Sequence, residues 1–348
     1  MKTLASTLLC STLLGGIAFG ALADTWKFAS EEDRNDVQDI FAQAFAESIK
    51  EQSDGDIKVR IYYYGQLGTE NDIVELASKG TIQFVSVGTG HLGSYVPEVQ
   101  VLDLPYVLGG DVDVIRRVLT TSPTIYDALG DKFEKVNLKL LTMISEGEMA
   151  WGANTPIRTP EDFEGQKIRT FTSTIPVETF KAFGANPTPL SWGEVYGALQ
   201  LQTVDGMVNP VYFIYNAKWH EVQDYLIFPG QQPYVGTVSA NSAWFDELPS
   251  EEQAMVEQAI EVAEQAAHDY QLEINETNMD KIKAERPDLE VIVLTDEERA
   301  VFETLSGTLH ETYYGVVENA YPDGEKAQAR ENAKRILDGL LAEVAGAS

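Results

Sequence analysis

Cysteine is almost absent: Cys10 is the only one in 348 residues. It falls in an N-terminal apolar stretch, so the rest of the chain has neither a disulfide framework nor a thiol nucleophile. Basic residues are scarce, 25 Lys and Arg against 55 Asp and Glu, a formal net charge of −30. Such a surface repels nucleic acid and anionic lipid headgroups. It is compatible with saline surroundings, where self-repulsion is screened. Histidine occurs at His91, His220, His268 and His310 only, and His220-Glu221 lacks the second His of a zincin helix. There is no Gly-x-Ser-x-Gly elbow and no phosphate loop ending in Gly-Lys-Ser/Thr. Carboxylates abound, but nothing marks one pair as the acid and base of a glycosidase. No catalytic residue, cofactor or metal site is expected, and the chain reads as a non-enzyme.

Past residue 23 no run of about eighteen apolar residues occurs, so no stable membrane insertion of the mature chain is expected. The first 23 residues read as a signal peptide: Lys2, a small and apolar run from Leu4 to Phe19, and Ala21-Leu22-Ala23 before Asp24. Its removal takes away one Lys and no acid, leaving 24 basic and 55 acidic residues, or −31. About 325 residues then remain, more than one core normally serves, which points to two lobes.

Trp26 to Ala29 reads as a strand, and Asp33 to Gln52 as an amphipathic helix with Val37, Ile40, Phe41, Ala44, Phe45 and Ile49 on one face. A strand over Ile57 to Tyr64, a helix over Ile73 to Lys79 and a strand over Ile82 to Val87 follow. This order predicts an open α/β sheet whose ligands sit beyond the strand carboxyl ends. Leu138 to Ile144 reads as a strand leading out of the first lobe, and the second lobe begins near Gly147. The segment 248–286 is the longest feature. No Pro or Gly interrupts it between Pro249 and Pro287, and Ser250 with Gln253 forms a candidate capping box. About 35 helical residues span roughly 50 Å, longer than one domain, so this helix should bridge both lobes. The expected division is lobe I over 24–146 and 235–265, lobe II over 147–234 and 275–325, and a C-terminal helix over 326–348.

Gly88-Thr89-Gly90-His91-Leu92-Gly93 matches the dinucleotide fingerprint. That fingerprint needs a helix opening on it, and Pro97 follows too soon. The loop is expected instead to bring bare backbone, Thr89 and His91 close to a small ligand.

Three segments fall in order: Glu164-Gly165-Gln166-Lys167-Ile168-Arg169, Pro187-Thr188-Pro189-Leu190-Ser191-Trp192-Gly193-Glu194, and Asp205-Gly206-Met207-Val208-Asn209-Pro210. Taken singly, Arg169 reads as a strand charge, Trp192 as core and Asn209 as a turn residue. Together they offer a guanidinium fork for a carboxylate, an indole face, and an amide that both donates and accepts. The order resembles the DctP-type solute receptors of TRAP transporters over nearly the whole mature chain. The resemblance implies an α/β fold of the periplasmic binding protein type, with two lobes, a lobe-bridging helix and the ligand cleft between the lobes. It also implies that Arg169 grips a carboxylate, Trp192 packs on the ligand body and Asn209 hydrogen-bonds it.

The stretch Glu31-Glu32-Asp33, with Asp36 to Phe45, resembles the ectoine-binding subgroup, in which a Glu at the Glu32 position holds a cationic ring. His91 and Tyr212 stand where that subgroup carries Phe, and Met149 stands where sialic-acid receptors carry a second Arg. The expected ligand contacts are therefore Arg169, Asn209, Trp192, Glu32, His91, Thr89, Tyr212 and its neighbour Phe213. The polar groups among them favour a sugar acid such as a uronate or aldonate, with ectoine or hydroxyectoine as the alternative. By resemblance the partners are a small and a large TRAP membrane subunit, and the location is the periplasm of a Gram-negative bacterium. An exported hydrolase or a sensor subunit are the readings of other classes.

Overall fold

The computed structural model describes residues 24–347; the expected signal peptide and Cys10 lie outside them. β1 (Asp24–Ser30), α1 (Val37–Gln52), β2 (Ile57–Tyr62), α2 (Glu70–Ser78) and β3 (Phe84–Gly88) follow one another as alternating hydrophobic patterning predicts. α1 starts four residues later than its polar leader suggested. Asn35 sits in the left-handed region at φ 67°, which a right-handed helix does not accommodate. A single turn, α3 (Thr89–Leu92), does open on the glycine motif, contrary to the expectation of no helix there. It runs into a 3-10 segment at Pro97–Asp103, then α4 (Val112–Thr121) and α5 (Gly130–Glu134).

β4 (Leu138–Ala153) is far longer than the strand read from sequence. Its first part pairs antiparallel with β9 (Pro233–Asn241), and its last residues pair with β7 (Met207–Pro210) and β8 (Tyr225–Phe228). Sheet order β2-β1-β3-β9-β4 makes the first lobe, with β1 parallel to both neighbours. Between β4 and β8 the second lobe adds β5 (Lys167–Thr170), α6 (Thr174–Ala182), β6 (Asn186–Pro189), α7 (Val195–Gln200) and α8 (Val211–Asn216). After β9 come α9 (Ser242–Glu247), α10 (Ser250–Glu285), β10 (Glu290–Val293), α11 (Asp296–Ser306), α12 (Leu309–Asn319) and α13 (Lys326–Ala347).

α10 has 36 residues, roughly 54 Å at 1.5 Å per residue. Val256, Ala259, Ile260 and Ala263 share a core with Phe41 and Phe45 of α1, while Ile282 packs with Trp219 and Leu226 of the second lobe. The capping box does not form: Pro249 is the N-cap, and no side chain caps the helix. α12 and α13 bury Leu309, Tyr313, Ile336 and Leu337 in the same cluster as Val85 and Leu119 of the first lobe. Residues 309–319 thus pack with the first lobe, where the sequence division put 275–325 in the second.

The two lobes therefore share one strand and one helix, and these meet at Gly147. A register shift lies between Ser145 and Glu148, and Gly147 has φ 119°, which L side chains avoid. Asn275 of α10 donates to the Glu146 carbonyl at 3.0 Å and accepts from the Tyr212 amide at 3.2 Å. A Cβ on Gly147 would stand 2.4 Å from the Asn275 amide nitrogen. Gly147→Ala should therefore destabilise the protein by about 1–3 kcal/mol, the usual cost of such backbone strain, and this reads directly as a lower midpoint in urea. An unchanged midpoint would show that the junction is not under this constraint.

Candidate functional site

Arg169, third residue of β5, is wholly buried. Nε and Nη2 donate to the Leu190 carbonyl at 3.2 and 3.0 Å, and Nη1 donates to Asn209 Oδ1 at 2.8 Å. The guanidinium carbon lies 4.8 Å from the ring centre of Phe171 and 5.8 Å from that of Trp219. Of five N–H groups three are used, leaving one on each terminal nitrogen, the pair that grips a planar carboxylate. Among the described residues no carboxylate pairs with Arg169 within 4.0 Å. Burial pulls its pKa down to about 10, with Glu70 opposing, so the group stays cationic at neutral pH.

Arg169 and Asn209 open onto a narrow, tightly closed space walled further by Glu31, Glu70, His91, Phe171, Trp192, Phe213 and Tyr234. The aromatic part of the wall is continuous: Trp192 to Phe213 at 4.8 Å, Phe213 to Tyr234 at 5.5 Å, Tyr234 to Phe171 at 5.6 Å, and Phe171 to His91 at 5.4 Å. Burial holds His91 down to about 4, so it is neutral. Two acids share this lining with the guanidinium. Glu31 Oε1 accepts from Tyr234 and from the Gly88 amide, and Glu70 Oε1 accepts from the Trp192 amide at 3.1 Å. Their second oxygens, Glu31 Oε2 and Glu70 Oε2, are buried and have no hydrogen-bond partner.

Of the residues singled out from the sequence, Arg169, Asn209, Trp192, His91 and Phe213 line this space. Glu32, Thr89 and Tyr212 stand one layer behind it. Thr89 donates to Asp103 at 2.7 Å, and Tyr212 reaches Glu32 and Glu146. Glu31 rather than Glu32 faces the cavity: both lie in the bend after β1, where Glu32 turns back to accept from the Gln38 amide. Glu31, Glu70, Phe171 and Tyr234 carry no sequence signal for the site and come together only through tertiary packing. The glycines of the Gly-rich motif are explained by close approach. A Cβ at Gly88 would strike Tyr234, and one at Gly90 would strike Phe171, so the loop is thin because β9 of its own lobe and Phe171 of the second lobe both lie against it.

The lobes are closed on each other. Ser173 N donates to the Gly90 carbonyl at 3.0 Å, Gly193 N to Tyr64 at 3.1 Å, and Ile175 N to Gln100 at 3.0 Å. Closure buries an acid-rich loop. Burial raises Glu31 from 4.5 to about 8 and Asp36 from 3.8 to about 7. Both groups bind protons more tightly folded than unfolded, so their stabilising contribution is full below the ordinary carboxyl range and is lost as pH rises through the folded values. The melting temperature should therefore fall as pH rises from about 5 toward about 8, and Glu31→Gln should flatten that fall. A melting temperature that climbs over this range would contradict the burial.

A family model for bacterial extracellular solute-binding proteins, family 7, matches residues 28–315. The chain is 41% identical over 282 residues to the ectoine/5-hydroxyectoine-binding periplasmic protein UehA of Ruegeria pomeroyi, covering 81% of this chain and 83% of that protein. It is 36% identical over 314 residues to the ectoine-binding periplasmic protein TeaA of Halomonas elongata, covering 89% and 90%. The high-resolution structure of the ectoine-binding protein of the Halomonas elongata TeaABC TRAP transporter superposes with a TM-score of 0.86 at 34% identity, over 93% of this chain and 100% of that one.

Proposed function

The chain belongs to the DctP family, the bacterial extracellular solute-binding proteins of family 7, and we propose that it is the periplasmic receptor of a TRAP transporter, capturing ectoine or hydroxyectoine. The observation that carries the choice of solute is the polarity of the cavity. The same lining offers two free N–H groups of Arg169 for a carboxylate and the unpartnered oxygens of Glu31 and Glu70 for a cation. A compact zwitterion satisfies both at once, and the aromatic wall covers its ring. The similarity to UehA and TeaA supports the same reading.

The sugar-acid reading, first from the sequence, rested on Thr89, His91, Tyr212 and Glu32 as hydroxyl partners. Of these His91 lines the cavity, whereas Thr89 is committed to Asp103, Tyr212 to Glu32 and Glu146, and Glu32 to Tyr212 and the Gln38 amide. A sugar acid also carries no cation to meet the two carboxyls of the lining, Glu31 and Glu70. Captured solute excludes water from between the lobes, which strengthens the Arg169 contact as the local dielectric falls. The closed receptor would then be recognised by the small and large membrane subunits. Among the described residues no helix is long and apolar enough to cross a membrane.

Titration calorimetry with ectoine, hydroxyectoine, glucuronate and galactonate tests this reading. The expected result is saturable binding of ectoine or hydroxyectoine, little heat from the sugar acids, and solute recovered chemically unchanged. Arg169→Ala should weaken binding about a thousandfold, since an unpaired buried carboxylate costs about 3–5 kcal/mol. Glucuronate bound with ectoine ignored, or affinity within about fivefold of wild type in a folded Arg169→Ala protein, would overturn it.

A further inference from the structure

Behind the cavity wall, one hydroxyl serves two acids. The Tyr212 oxygen lies 2.8 Å from Glu32 Oε1 and 2.5 Å from Glu146 Oε2, and all three side chains are at most 1% exposed. A phenol has a single hydrogen to donate. It can bond one of these oxygens, and the other contact is a hydrogen bond only if that carboxyl carries a proton and donates it to the phenol oxygen. The remaining oxygens are already acceptors: Glu32 Oε2 from the Gln38 amide at 2.7 Å, and Glu146 Oε1 from Gln38 Nε2 at 3.0 Å. The proton's place is therefore on Glu32 Oε1 or Glu146 Oε2.

The three residues come from different parts of the closing machine. Glu32 follows β1 in the first lobe, Glu146 precedes the Gly147 bend in the shared strand, and Tyr212 opens α8 in the second lobe. We propose that closure of the lobes takes up one proton from solvent and holds it between Glu32 and Glu146 on the Tyr212 hydroxyl, which links solute capture to pH. When the lobes part, Tyr212 leaves, water reaches both carboxyls, and the proton returns to solvent. The proposal rests on the receptor reading but not on the identity of the solute, which this triad does not touch.

The surroundings favour a bound proton. Glu31 shares the Gln38 amide, Asp36 bonds Asn216 of α8, and Asp33 and Asp39 stand on the same loop and helix. Tyr234 of β9 and Tyr270 of α10 add no positive charge, and Glu70 adds a further negative one. Of the cations, Arg34 on the same loop lies over the Tyr63 ring at 4.8 Å, and Arg169 interacts with Glu31. Burial first, and the neighbouring acids second, raise Glu32 well above the ordinary carboxyl range, and burial raises Glu146. The closed pair thus binds a proton more tightly than the open pair. The contribution of this pair to affinity should be fullest below the ordinary carboxyl value of 4.5. It should then fall by up to tenfold per pH unit until the raised value is passed.

Calorimetry in buffers of different ionisation enthalpy counts the protons exchanged on binding. Glu31 lines the cavity, and a solute cation expels any proton it carries, so the wild-type count alone is a sum. The diagnostic quantity is the difference from Glu146→Gln, whose amide donates to the Tyr212 oxygen without an added proton; Glu32→Gln serves equally. The expected result with ectoine is about one proton fewer taken up per solute in either variant, with a flatter fall of affinity against pH. Equal proton counts in wild type and both variants would overturn the proposal. If ectoine gives no heat, the choice of solute fails, and the same comparison with glucuronate decides the proton. Should neither variant fold, carboxyl NMR of the closed wild-type protein decides. An acid form of Glu32 or Glu146 at neutral pH upholds the proposal, and two ionised carboxylates overturn it.

Discussion

A buried guanidinium with no ion-pair partner constrains everything around it. Arg169 is held by a carbonyl and an amide oxygen, neither of which carries a full charge. A buried charge without a counterion is costly, so its position makes sense only if something anionic arrives between the lobes. The acids that favour its charge, Glu31 and Glu70, line the same cavity without forming an ion pair with it. In the proposed reading a zwitterion is the chemical form that satisfies both. The ring contacts from Phe171 and Trp219 fix the plane of the fork, which a lysine could not present.

The fold serves this arrangement by sharing elements between the lobes instead of joining them by a loose linker. β4 belongs to both sheets and α10 packs on both cores. These two cross at Gly147 and Asn275, where the strand bends. Asn275 ties the backbone of Glu146 to that of Tyr212, so the residues that hold the proton sit beside the residue that bends. Cavity, proton and junction are neighbours by construction.

Much of this was legible in the sequence. The spacing from Arg169 through Trp192 to Asn209 placed three cavity residues on the right strands and loop, because each sits in short local structure with turn residues beside it. The length of α10 was readable from the absence of Pro and Gly. The extent of β4 was not: Gly147 looked like a boundary, whereas its positive φ lets the strand bend and continue. Thr89 and Tyr212 were placed in the wall because the sequence shows where a side chain starts and not where it points. Asp103, Glu32 and Glu146, which capture those hydroxyls, are 14, 180 and 66 positions away. Tyr234, Phe171 and Glu70 carry no local mark at all. The proposed change of solute from a sugar acid to a zwitterion rests on the charges around the cavity rather than on any motif.

The crystal structure of the protein with ectoine bound is the most direct test of this account. The solute carboxylate should lie on the two free N–H groups of Arg169, with its cationic ring toward Glu31 and Glu70 and its face covered by Trp192 and Phe213. A carboxylate placed away from Arg169, or a ring nitrogen turned to the aromatic wall with both acids left unpaired, would contradict it.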